Sequence, residues 1–171
     1  MESRSTYSHP IIEFYQGKRK TSQFHLSLEE LWHLPNSMLN QGYFWIAWLF
    51  PVEKPSKWNN LAPAFRPEDT EYFRQNAEIQ AKFITSFEHI IRYWGLYLEN
   101  GELKIAEEIQ DRHYWIRNIG HEDKKISRII VSLDLCGQPE LARQLQKIAV
   151  QMGLEKGTPN PETVEIWRSL I

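Results

Sequence analysis

From Tyr43 to Phe50 every position is apolar or aromatic, with Trp45 and Trp48 three residues apart. A helix that is apolar all round has no face to give to water and belongs at the centre of a core. Eight residues fall far short of the roughly 20 that a membrane span needs. Pro51 ends the run by pushing Phe50 out of the helical region. Around this centre the apolar positions fall into helical rhythm. Leu28, Leu31 and Trp32 share one face behind Ser27, an N-cap whose capping box is completed by Glu30, and Pro35 stops the segment. Pro67, followed by Glu68, Asp69 and Glu71, opens a short helix that presents Tyr72 and Phe73. Asn76 caps the longest periodic stretch, in which Ile79, Phe83, Phe87, Ile90 and Trp94 form a stripe and Gly95 is placed to end it.

The second half repeats the pattern with one interruption. Asn100-Gly101 lies between Tyr97-Leu98-Glu99 and Glu102-Leu103-Lys104, which predicts a short two-residue-turn hairpin over 97–104. Ile105, Ile109, Ile116 and Ile119 point to a helix reaching Gly120, and Ile126, Ile129, Ile130 and Leu133 to another ending at Gly137. Pro139 starts a helix with Leu141, Leu145, Ile148 and Met152 on one face and Gly153 at its close. Asn160 and Pro161 make an N-cap and N1 pair for a terminal helix carrying Val164 and Trp167. Without strand-helix alternation there is no parallel sheet to build. The expectation is an all-α fold, a single helical domain of about seven or eight helices over residues 11–171, preceded by a loose segment from Met1 to Pro10.

Composition narrows this picture. A chain of 171 residues with 42% hydrophobic and 25% charged content is ordinary for one globular domain. Its seven Trp are a surplus, large rings with an N–H that wants a partner. The formal net charge of −2 gives no global drive toward nucleic acid, and Lys18-Arg19-Lys20 is the one dense basic run. Cys136 is the only cysteine, so no internal disulfide forms and a reducing compartment is favoured. No apolar run follows the polar start of the chain, and a cytoplasmic location is the default expectation.

Candidate chemistry is sparse. The six histidines do not form a helix-spaced zinc pattern, and one cysteine makes no thiolate site, so no metal or cofactor is expected. There is no nucleophile elbow or phosphate-binding loop, and no catalytic residue is assigned. Two recognition surfaces remain. One is the proline-stiffened loop Val52 to Pro63, where Trp58, Asn59 and Asn60 present an aromatic anchor beside two amides; its plain alternative is a ring that staples the loop to the core. The other surrounds a helix start, with His121 and Lys125 four residues apart and Lys124 and Arg128 likewise. This cationic patch suits an acidic peptide or a phosphate, and its plain alternative is exposed helix decoration.

The same stretches resemble one family. Tyr43-Phe44-Trp45-Ile46-Ala47-Trp48-Leu49-Phe50-Pro51 is similar to the His-Asp-Tyr-Ile-Gln-Trp-Leu-Phe-Pro signature of the conserved region of opioid growth factor receptors. Pro55-Ser56-Lys57-Trp58-Asn59-Asn60-Leu61-Ala62-Pro63 resembles that family's Pro-Ser-x-Phe-Asn-x-x-Ala-Pro segment. Ile91-Arg92-Tyr93-Trp94-Gly95-Leu96 resembles its Leu-Arg-Phe-Tyr-Gly-Leu, and His121 with Lys125 to Leu133 echoes a later block. The resemblance implies the family's helical fold and, from its animal members, recognition of an enkephalin-type peptide. Tyr43, Phe44 and Ala47 stand where the family carries His, Asp and Gln, so polar groups a ligand would need at that helix are replaced by apolar ones. The expected function is therefore a non-catalytic binding module for a peptide or protein partner. Trp58, Asn59, Asn60, His121, Lys125 and Arg128 are its candidate contacts. The other reading is a small-molecule or enzymatic pocket walled by aromatic rings between helices, with His121 as its polar handle.

Overall fold

The computed structural model describes residues 7–41, 44–54, 62–106, 122–156 and 161–171. Among these the architecture is helical, with one two-stranded antiparallel sheet. In chain order the elements are α1 (Pro10–Tyr15), α2 (Leu28–Trp32), α3 (Asn36–Gln41), α4 (Phe44–Leu49), α5 (Pro67–Gln75) and α6 (Ala77–Ile91). A 3-10 turn (Arg92–Trp94) follows, then β1 (Leu96–Glu99), β2 (Glu102–Ile105), α7 (Glu122–Leu135), α8 (Pro139–Lys156) and α9 (Pro161–Ser169). Nine helices are described, with short pieces such as α3 among them; the expected helix from Ile105 to Gly120 lies outside the described residues beyond Ala106, and Ile105 itself ends β2. The chain packs as two compact units, Met1–Ser86 and Phe87–Ile171, and the division falls within α6.

In the first unit, α4 is the buried centre that its sequence demands. Phe44 through Phe50 are all at most 5% exposed, and Trp45, Ile46, Ala47 and Leu49 have no exposed surface. Aromatic rings close around it. Phe14 lies 5.2 Å from Trp48, and Phe73 meets Tyr15 and Phe83 edge-on at 5.2 and 5.0 Å. Each such buried ring contributes about 2–3 kcal/mol by leaving water. The polar atoms of Tyr15 and Trp32 have partners. The Tyr15 hydroxyl donates to the Leu49 carbonyl at 2.7 Å and lies 3.0 Å from Ser86 Oγ, which also accepts from Trp32 Nε1 at 2.8 Å. A buried O–H or N–H left without such a partner costs about 1–3 kcal/mol, comparable with what its ring gains.

Local signals fix the helix ends. Ser27 Oγ accepts from the Glu30 amide at 3.2 Å while Glu30 Oε1 accepts from the Ser27 amide at 2.8 Å, the reciprocal box expected from sequence. Asn76 Oδ1 accepts from the Ile79 amide at 3.0 Å and starts α6. At the far end Gly95 takes φ +78°, the left-handed conformation open to glycine, and its amide bonds back to the Arg92 carbonyl. Residues 7–10 belong to the segment expected to be loose. His9 caps α1 and Pro10 stands at its first position, so the helix begins within that segment.

In the second unit, β1 and β2 pair in the register Leu96↔Ile105, Tyr97↔Lys104, Leu98↔Leu103 and Glu99↔Glu102. Asn100 (φ +52°) and Gly101 (φ +81°) make the turn, both left-handed as a two-residue hairpin requires. The side chain of Gln144 on α8 holds the hairpin. Its Oε1 accepts from the Leu103 amide at 2.7 Å and its Nε2 donates to the Gly101 carbonyl at 3.1 Å. Leu141, Ala142, Leu145, Ala149 and Met152 of α8 are buried, as are Val164 and Trp167 of α9. Gly153 does not close α8, contrary to expectation. It lies inside the helix, which runs on to Lys156 and is longer than α6. A glycine lowers helix propensity by about 1 kcal/mol but stops a helix only where the chain turns left-handed.

Candidate functional site

Of the six candidate contacts, Trp58, Asn59, Asn60 and His121 lie outside the described residues. The stretch that carries the first three has its flanks fixed. Val52 and Ala62 are buried, and the Phe65 amide donates to the Val52 carbonyl at 2.9 Å. Lys125 and Arg128 stand three residues apart on α7, and the exposed-decoration reading of both is corrected. Lys125 has no exposed surface and Arg128 only 8%, whereas Lys124 is exposed. Ser132 and Cys136, four and eight residues beyond Arg128, are also wholly buried. At 100° per residue this spacing lines up Lys125, Arg128, Ser132 and Cys136 as one polar stripe along α7 and its C-terminal turn. Burial pushes the Arg128 guanidinium down to about 10, opposed by the Cys136 sulfur beside it. Reading Lys125 by helical charge spacing alone hid this, because spacing does not say which face packs inward.

A second polar cluster, absent from the sequence reading, lies in the first unit. Asp69 is fully buried at the third position of α5. Its Oδ2 accepts from the Arg66 amide at 2.8 Å and from Arg66 Nε at 3.0 Å. Its Oδ1 accepts from Arg66 Nη2 at 3.1 Å and from the Tyr7 hydroxyl at 2.5 Å. The Tyr7 ring stacks on Tyr72 at 4.2 Å and 13°. His9 Nε2 lies 3.9 Å from Asp69 Oδ2 and 3.1 Å from the Ala64 carbonyl oxygen, with the Phe65 ring edge-on to the imidazole at 4.9 Å.

The environment assigns each group one protonation state at neutral pH. Burial pushes the Asp69 carboxyl up, but the hydrogen bonds from Arg66 and Tyr7 outweigh it and hold the group below the usual carboxylate value. Burial, with the Asp69 hydrogen bond and charge, pushes the Tyr7 phenol up to about 12. Burial lowers His9, against the Ala64 carbonyl and the Asp69 charge that favour its protonated form. Asp69 is therefore an anion flanked by a neutral phenol and a neutral imidazole. With four donors on its two oxygens it has no lone pair placed to take a proton from a substrate, and the cluster works as a tie between the N-terminal segment and α5. The local signal for it was present in part: Pro67 and Asp69 mark a helix start, and His9-Pro10 marks another.

Elsewhere, no three His, Cys, Asp or Glu side chains among the described residues are grouped to hold a metal ion. A surface groove of about 520 Å³ runs along α8, lined by Gln146, Lys147, Val150, Gln151, Leu154 and Arg168. It has no aromatic wall of the kind that the pocket reading calls for. Among the described residues no helix is long and apolar enough to cross a membrane.

Among the described residues the fold is a helical scaffold that carries a buried polar cluster in each unit. Residues 5–161 match the family model described as the opioid growth factor receptor (OGFr) conserved region, and the chain belongs to that family. It is 25% identical over 155 residues to "Opioid growth factor receptor-like protein 1" of Xenopus tropicalis, covering 87% of this chain and 30% of that protein. It is 26% identical over 110 residues to the "Opioid growth factor receptor" of Rattus norvegicus, covering 62% and 19%. With the Homo sapiens protein of the same name the identity is 25% over 135 residues, covering 75% and 20%. The chain thus spans less than a third of the length of these relatives. No solved structure matches it.

Proposed function

We propose that the chain is a non-catalytic binding module that recognises a peptide or protein partner in the cytoplasm. The observation that carries this reading is the family match across residues 5–161, since the relatives bear the name of receptors for an opioid growth factor. The proposed contacts are Trp58, Asn59 and Asn60 together with His121, Lys125 and Arg128. Lys125 and Arg128 share one face of α7, with Lys125 wholly buried and Arg128 8% exposed, so a carboxylate or phosphate on the partner would meet the Arg128 guanidinium first.

The test titrates the full chain with opioid growth factor peptide by calorimetry, and in parallel captures partners from the native host. Trp58→Ala and Arg128→Gln are each expected to weaken binding at least about tenfold, an ordinary loss for an interface anchor. Arg128 is buried, so each variant is first checked for retained helicity and cooperative melting. Folded variants that keep every partner at unchanged affinity would reject the proposed surface.

A further inference from the structure

His9 stands where the chain enters α1, and two backbone groups hold its ring. Nδ1 accepts from the Ile11 amide at 3.1 Å, and Nε2 meets the Ala64 carbonyl oxygen at 3.1 Å. A carbonyl oxygen only accepts, so Nε2 carries the hydrogen; an amide N–H only donates, so Nδ1 carries the lone pair. The two contacts thus select the neutral ring and one of its tautomers. A second proton can go only to Nδ1, where it would face the Ile11 N–H, donor against donor.

We propose that His9 is a proton-operated lock on the N-terminal segment: the neutral ring bridges the Ile11 amide to the Ala64 carbonyl, and protonation at Nδ1 breaks the Ile11 half while Nε2–H keeps donating to Ala64. The charged groups facing the ring come from both packed elements. Asp69 and Arg66 belong to the start of α5, and Glu13 to α1 itself. Asp69 and Glu13 favour the charged ring, while burial and Arg66 oppose it, burial most strongly. Asp69 already accepts four hydrogen bonds from Tyr7 and Arg66, which leaves it a poor new acceptor for a protonated ring. Phe65, edge-on to the imidazole, offers no charge.

The sign follows from linkage. The folded ring titrates below the unfolded one, so its contribution to stability is whole above about pH 6.5 and is lost as pH falls from there through the folded value. The Asp69 tie is lost only at lower pH, below the ordinary carboxylate range, so the two effects occupy separate windows.

The experiment compares thermal melting of the full chain at pH 7.5 and 5.5 for the parent and for His9→Asn, whose amide oxygen accepts from Ile11 at either pH. The parent is expected to lose about 3 °C more than His9→Asn over this interval, the shift that losing one helix cap gives in a chain of this size. The other five histidines are present in both and cancel. Ring-nitrogen and amide resonances of the parent give a second readout that needs no variant. At pH 7.5 Nδ1 is expected unprotonated, and the Ile11 amide is expected to shift with the His9 midpoint. Equal losses for the two chains, or an Ile11 amide that ignores the His9 titration, would overturn the lock.

Discussion

Asp69 accepts from Tyr7 once and from Arg66 three times, so removing its carboxylate strands donors as well as deleting an acceptor. Asp69→Ala is expected to destabilise the fold by about 3 kcal/mol, and Asp69→Asn by less, because an amide oxygen still caps α5. Urea unfolding at pH 7 measures both. Since the folded carboxyl titrates below its unfolded value, this contribution is present above about pH 3.9 and fades as pH falls through the folded value. The Asp69→Ala and parent stabilities should therefore converge in acid. How much of this cluster the sequence discloses depends on distance along the chain. Pro67 and the acidic first turn of α5 are local signals and were legible. Tyr7 reaches Asp69 across 62 residues, and no periodicity or spacing encodes such a pairing.

At the scale of elements, the strongest sequence signals were those in which one short stretch fixes its own geometry. Asn100-Gly101 is the clearest, because only residues tolerant of positive φ let a two-residue turn follow the strands' twist. A Cβ added at Gly101 would meet nothing within 4 Å, so Gly101→Ala has no steric term. The variant is expected to cost about 1 kcal/mol from backbone strain alone, and hydrogen exchange at Leu103 should rise by about fivefold if the hairpin opens locally. A wild-type exchange rate at Leu103 with unchanged stability would count against a strained turn. The clamp from Gln144 was not legible, since a glutamine on the side of a helix reads as solvated until the strand beside it is seen. Gly153 erred the other way: read as a stop, it is an interior position of α8 that its neighbours carry through.

Over the whole molecule, the all-α class and the central place of α4 follow from patterning, because apolar periodicity and burial are two views of one constraint. The stripe of Lys125, Arg128, Ser132 and Cys136 escapes that logic. Its polar residues occupy core-facing positions, where a pattern reader assigns solvent. The stripe ends on the only thiol in the chain, which gives the second unit an internal clock. A disulfide reagent can reach Cys136 only when the end of α7 opens, so the labelling rate counts openings. In native buffer the rate should lie about 1,000-fold or more below that of the denatured chain, as an opening free energy of at least about 4 kcal/mol implies. In the free chain the same single label times how often this end of the helix comes undone.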